Sequence, residues 1–259
     1  MEDKKIYRYG NFSSSNIYKL ASKGRGSASI ENVGASFHTY IKEKKREAKL
    51  KRGINSKAFT RPIIWGIVCE LYVFKYKLDT SFSNMNNVGR LSHTEIENWN
   101  GVPDTFRKKD LVVGDIKCQS SLIKFCDLIE SKEEGLQSFK NNHSDYYYQL
   151  VSNAILTGVD KAELLFYVPY LNELEKIKNF VELEINEDDL PIDLQYSQVK
   201  WIVDEVTTFL EIGKKPISIP YLPNDCEYKD FNTFTFDVPK EDIDFLTERV
   251  KMAVKLLNN

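Results

Sequence analysis

Cysteine and histidine are scarce in this chain: four Cys and three His in 259 residues. Cys69, Cys118, Cys126 and Cys226 stand far apart except for one Cys-x7-Cys pair. That is neither a zinc spacing nor a disulfide framework, so four reduced thiols with packing roles are expected. His38, His93 and His143 are dispersed, which argues against a histidine-built metal centre. No apolar run approaches the roughly 18 residues that span a bilayer. The start, Met1-Glu2-Asp3-Lys4-Lys5, is too charged to open a signal peptide, and a cytoplasmic location without membrane contact is expected. There is no internal repeat and no low-complexity tract.

With 42% hydrophobic and 29% charged residues, the chain has the make-up of a globular protein with a real core. Its length suits a single domain over 1–259. The net charge of −2 conceals an asymmetry, because residues 1–60 carry +9 and residues 61–259 carry −11. A basic end of this kind can bring a polyanion to an acidic body. Taken alone, the run from Lys42 to Arg52 reads better as a solvated helix face than as a polyanion-binding one.

Along the chain, residues 1–15 are polar and expected to be mobile, and Lys23-Gly24-Arg25-Gly26-Ser27 reads as a flexible basic loop. The pattern predicts a helix from Val33 to Arg52, stopped at Gly53. A second helix follows from Thr60, an N-cap with Pro62 in the first turn, to about Leu78. That second helix is apolar nearly all round, and such helices are buried. It nevertheless carries Glu70 in its middle, where an unpartnered carboxylate would cost several kcal/mol. Either a cation or a basic side chain must meet it.

Residues 79–100 read as an irregular polar stretch. Then Gly101-Val102-Pro103-Asp104 is followed, eleven residues after Asp104, by Asp115-Ile116-Lys117. The segment between carries Arg107, Lys108, Lys109 and Asp110, a polar turn. Leu111-Val112-Val113 is apolar and β-branched and opens a strand. Residues two apart on a strand share a face, so Asp115 and Lys117 project together, and a hairpin brings Asp104 alongside. Two carboxylates and an ammonium so close together call for a divalent cation. Further on, Ser120 to Ser144 is helical in part, Tyr146 to Leu156 is a helix ended by Gly158, and Ala162 to Val168 is a strand. Beyond Pro169, the acidic stretch Glu182 to Asp193 reads as an exposed insertion, Lys200-Trp201-Ile202-Val203 as a strand, and Glu241 to Leu257 as a closing amphipathic helix.

The constellation Asp104 … Asp115-Ile116-Lys117 resembles the PD-(D/E)XK nucleases. Trp65-Gly66-Ile67-Val68-Cys69-Glu70 is similar to that superfamily's W-G-x-x-x-E helix, and Tyr148-Gln149-Leu150 to the glutamine helix of its RecB-like and phage lambda-exonuclease (YqaJ-like) branches. Ala21-Ser22 before a Gly-rich stretch, Phe37-His38-Thr39-Tyr40 and Phe166-Tyr167-Val168-Pro169 fall in the same order, so the likeness covers residues 18–170. It implies an α/β, restriction-endonuclease-like core, a mixed β-sheet flanked by helices, followed by a C-terminal extension over 171–259.

The resemblance also implies a chemistry. Glu70, Asp104, Asp115 and the backbone carbonyl of Ile116 would bind Mg²⁺ or Mn²⁺, two ions to a site, and Lys117 would orient water or neutralise phosphate charge. Gln149 would position the water or a neighbouring group, with Tyr146, Tyr147 and Tyr148 either stacking on nucleotides or packing half-buried. Ser22, Lys23 and Arg25 lie where the lambda-exonuclease type holds a 5′-phosphate. The implied function is an Mg²⁺-dependent DNA exonuclease acting on duplex ends in phage-type recombination, in a bacterial or phage-infected cell. A single-strand annealing protein and further copies of the chain would be its partners. The alternatives are a RecB-like or restriction-type endonuclease, or a DNA-binding protein that keeps the fold without the activity.

Overall fold

The computed structural model describes residues 9–26, 31–54, 58–216 and 218–258. Residues 1–8 of the stretch expected to be mobile, and Ser27 of the basic loop, lie outside the described residues. The rest of that stretch departs from expectation. Phe12 is fully buried in β1 (Phe12–Ser13), which pairs in parallel with β4 (Trp99–Gly101). Local polarity hid this, because the burial depends on a strand nearly 90 residues away.

The first helices are short α1 (Tyr18–Ala21) and basic α2 (Ala35–Leu50). Helix α3 (Arg61–Tyr76) follows, with Thr60 at its N-cap and Pro62 in its first turn. The stretch expected to be irregular holds three short strands, β2 (Phe82–Asn84), β3 (Leu91–Ser92) and β4. A 3-10 turn, Met85–Asn87, joins the first two. The hairpin strands are β5 (Thr105–Arg107) and β6 (Val112–Cys118), paired antiparallel. Leu111 belongs to the turn rather than the strand: its φ of 53° lies in the left-handed region and its side chain is exposed.

A helical crossover, α4 (Leu122–Glu134), α5 (Leu136–Asn142) and α6 (Ser144–Thr157), leads to β7 (Lys161–Tyr167), parallel to β6. Parallel neighbours need such a long connection. The C-terminal part supplies α7 (Leu174–Leu183), α8 (Trp201–Ile212), β8 (Phe231–Asp237) and α9 (Lys240–Asn258). Trp201-Ile202-Val203 is therefore helical, not a strand. Ile202, Val203 and Val206 share a face and are buried, and that tertiary packing overrides their β-propensity. The acidic stretch is only partly exposed, since Ile185 and Leu190 are buried while Leu183 and Ile192 are not.

The main sheet runs β2-β5-β6-β7-β8 and is mixed, and a small sheet runs β1-β4-β3. Helices cover both faces of the main sheet. On one, Trp65, Val68, Cys69 and Tyr72 of α3 pack with Ile116, Leu165 and Tyr167, then with α7 and α8. On the other, Val113, Ala162, Leu164 and Phe166 meet Tyr147, Leu150, Val151 and Ala154 of α6 and Leu246, Val250 and Ala253 of α9. Alternate residues of β6 thus serve opposite cores, as the two-residue strand period requires. Among the described residues no helix is long and apolar enough to cross a membrane.

Candidate active site

Gly114 determines how closely the hairpin closes. A Cβ there would stand 2.1 Å from Thr105 Oγ1 and 3.0 Å from Glu163 Cγ. Its absence lets β5 lie hard against the middle of β6. Arg107 braces the pair with a bidentate bond to buried Glu163 on β7, Nε to Oε1 at 3.1 Å and Nη2 to Oε2 at 3.0 Å. Asp104, just ahead of β5, is held on three sides. Its N–H donates to Gly114 O at 3.1 Å, its carbonyl accepts from Met85 N at 3.0 Å, and its Oδ2 accepts from Ile116 N at 2.7 Å. A strand residue's N–H and C=O lie on the same edge. The Ile116 carbonyl therefore shares the Asp104 edge, beyond the last β5 pairing at Gly114.

Asp115, almost fully buried, points to the α6 face. Its Oδ1 accepts from Gln149 Nε2 at 2.5 Å and its Oδ2 is ion-paired with Lys117 Nζ. Glu70 approaches from α3. Burial first, and then the negative charge of Asp115, push its carboxyl up to about 7, against the opposing pull of Lys117 and a hydrogen bond from Asn86. Asp104 is raised well above the usual carboxylate range by burial, then by Asp115 and Glu70. Burial works to lower the Lys117 ammonium, yet Asp115 and Asp104 more than reverse it, and its value rises.

Three carboxylates thus share one field with a single ammonium. Hard oxygen donors of this kind suit Mg²⁺ or Mn²⁺. The raised proton affinity of Glu70 and Asp104 comes first from burial and then from the neighbouring negative charge. In their present rotamers they are turned to protein donors, and among the described residues no trio of His, Cys, Asp or Glu closes on one point. The donor set fits a divalent cation in chemistry.

Glu70, Asp104, Asp115, Lys117 and Gln149 lie in one region of the fold, with the Ile116 backbone bonded to Asp104. Ser22, Lys23 and Arg25 are placed differently. Ser22 Oγ donates to Lys19 O and accepts from Phe37 N, fastening the α1–α2 joint. Lys23 Nζ lies 5.3 Å from the Phe245 ring centroid on α9, and Arg25 is exposed. Among the described residues, no contact links these three to the acids. A cavity of about 530 Å³ opens beside Gln149 instead, lined by Ser13, Ser15, Asn16, Lys44, Arg90 and Asn100 among others. Asn100 is buried, its Nδ2 has no hydrogen-bond partner among the described residues, and its Oδ1 accepts from Arg90 Nη1 at 3.3 Å. Sequence reasoning missed this lining and also Asn86. The local trace of Asn86 is an Asn-rich turn in which Asn84 Oδ1 accepts from Asn86 N at 2.9 Å.

No family model matches the sequence, and no curated protein matches it. Solved structures do. LHK-Exo in complex with dAMP superposes with a TM-score of 0.53 at 14% identity, over 97% of this chain and 89% of that one. The alkaline exonuclease LHK-Exo from Laribacter hongkongensis gives 0.52 at 13% identity, with the same coverage. A phage-related exonuclease from Haemophilus somnus 129PT gives 0.55 at 14%, over 95% and 93% of the two chains. At this identity the likeness is one of fold. The chain is built on the α/β fold of the alkaline and phage-related exonucleases.

Proposed function

We propose that this protein is a divalent-metal-dependent deoxyribonuclease that hydrolyses duplex DNA from its ends. The observation that carries the reading is that Glu70, Asp104 and Asp115 lie in one electrostatic field with Lys117, which is ion-paired to Asp115, and that two of the three carboxyls are held above their usual range. Glu70, Asp104, Asp115 and the Ile116 carbonyl would hold Mg²⁺ or Mn²⁺. The ions would supply an acidified water and stabilise charge on the phosphate and leaving oxygens. Lys117 offers a point charge to a non-bridging phosphate oxygen, and Gln149 fixes the carboxylate of Asp115.

End-directed action is favoured by the cavity beside Gln149. It offers serine hydroxyls, amides and the Arg90 side chain beside Gln149 to a terminal phosphate, while Lys44 there is ion-paired with Glu47 and Glu43 also lines the wall. One structural neighbour is in complex with dAMP, and a deoxynucleoside monophosphate is the product that end-directed hydrolysis would release. Phage-type recombination, with an annealing protein and further copies of the chain as partners, remains part of the same proposal.

Plasmid digestion with Mg²⁺ tests it. Linear duplex should be consumed and closed circles spared, and Asp104→Ala or Asp115→Ala should abolish the activity. Cutting of the circle would replace this reading with an endonuclease, and inertness toward both would leave a DNA-binding protein.

A further inference from the structure

Helix α6 carries a second residue aimed at the ion pair. Tyr146 and Gln149 are three apart, so they share a face of the helix. Gln149 takes Asp115, while the Tyr146 ring centroid lies 5.5 Å from Lys117 Nζ, within cation–π range. We propose that Tyr146 is a positioning residue for Lys117, and that α6 thereby holds both members of the Asp115–Lys117 pair. As a role in catalysis this rests on the nuclease reading; as a contact it does not.

The ring is itself fixed, which a base-stacking role would not require. Its hydroxyl accepts from Nε2 of buried Gln119 at 3.4 Å, and the Gln119 N–H extends the β6–β7 ladder to Tyr167 O at 3.2 Å. The His143 ring lies 6.1 Å away and nearly parallel, with an interplanar angle of 5°, and His143 Nε2 is 3.3 Å from Asp127 O. Tyr146 is thus tied to the strand that carries Lys117 and to the loop that starts α6.

A lysine ends a flexible four-carbon stem, and its ammonium can swing widely unless something confines it. Among the described residues, Asp115 and the Tyr146 ring are the contacts of this ammonium. Asp115 is also a proposed cation ligand and cannot serve Lys117 fully in both roles. The ring carries no formal charge, so it confines the ammonium without competing for cation or phosphate.

Two measurements on the full chain test this. In ¹³C-lysine-labelled protein, the Lys117 ε-CH₂ protons should be shifted upfield by the ring in wild type and in Tyr146→Phe, and should lose that shift in Tyr146→Leu. Unmoved ε-CH₂ protons in Tyr146→Leu overturn the inference, whether or not the protein cuts DNA. In digestion assays, Tyr146→Leu should lower kcat by about tenfold with KM little changed, and Tyr146→Phe should restore most of it. A loss seen in KM alone would assign the ring to stacking on DNA and overturn the positioning role. If Tyr146→Leu does not fold, phenylalanines of increasing fluorination at 146 keep the shape while draining the π face, and kcat should fall stepwise. A flat series overturns the proposal. Full activity in Lys117→Ala would sink the nuclease reading of Lys117 while leaving the resonance test intact.

Discussion

Gln149 Nε2 donates to Asp115 Oδ1 at 2.5 Å, joining two residues 34 positions apart and leaving Asp115 Oδ2 to Lys117. The helix therefore holds the strand acid in one rotamer. Gln149→Ala frees that rotamer, and a misplacement of about 1 Å at a reacting centre can cost on the order of 100-fold. We expect kcat to fall by roughly that factor, with the fold intact by circular dichroism. Near wild-type kcat would show that Asp115 needs no such hold.

Glu70 gives the metal-free protein a pH dependence of definite sign. Its folded-state value, pushed up to about 7, lies above the unfolded one. The folded state therefore binds the extra proton, and stability is lost as pH rises through that window toward about 7. The groups facing Glu70 are Asp115 and Asp104, which oppose its ionisation, and Lys117 and Asn86, which favour it. The melting temperature in EDTA should decline between pH 5 and 8, and Asp115→Asn should flatten the decline. Mg²⁺ should reverse the trend at the alkaline end, because a cation prefers the ionised carboxylates. A melting temperature that rises with pH in EDTA would contradict the crowded-acid description.

Gly114→Ala should damage the hairpin. The added Cβ meets Thr105 Oγ1 at 2.1 Å, and overpacking of this sort costs ~1–3 kcal/mol. Because Gly114 O accepts the Asp104 N–H, the acid shifts with the strand. Denaturant melts should show the stability loss, and turnover should fall further than stability alone explains. A variant with normal stability and rate would mean that β5 has room to move.

Terminal phosphate recognition separates two places in the chain. Duplex bearing a 5′-phosphate should be degraded faster than the 5′-hydroxyl form by about tenfold or more for each charge-assisted contact realised. Arg90→Ala should shrink that gap, whereas Arg25→Ala, on the exposed loop, should not. If Arg25→Ala alone closes the gap, the phosphate pocket belongs to the Ser22 loop after all.

The elements around the acids were legible because each announces itself locally. Val112-Val113 opens a β-branched strand, Asp115 and Lys117 keep the two-residue period, and α3 is too apolar to be exposed. What remained hidden depends on distant partners. Ser14 Oγ meets Ser152 Oγ at 2.9 Å across 138 residues, and Trp99 Nε1 donates to the same hydroxyl at 2.8 Å. That junction seats the β1 segment beside α6 and forms the wall of the cavity. No short-range pattern around Ser13-Ser14-Ser15 signals it. Trp201-Ile202-Val203 failed for the same reason: three strand-prone residues became helical because the core beneath α7 and α8 accepts only one face of them.

The order of the main sheet has a bearing on how the protein is made. Glu70, Asp104, Asp115 and Lys117 all leave the ribosome before β7, yet β6 gains its second neighbour only when Lys161–Tyr167 has been synthesised. Gln149 and Tyr146 reach the ion pair from a helix translated between those strands. A nascent chain that stops short of Tyr167 holds every acid and lacks the scaffold that aligns them. On the nuclease reading, a translation product truncated before β7 would lack an aligned cutting centre, which would form only once the chain has been made through Tyr167 of its 259 residues.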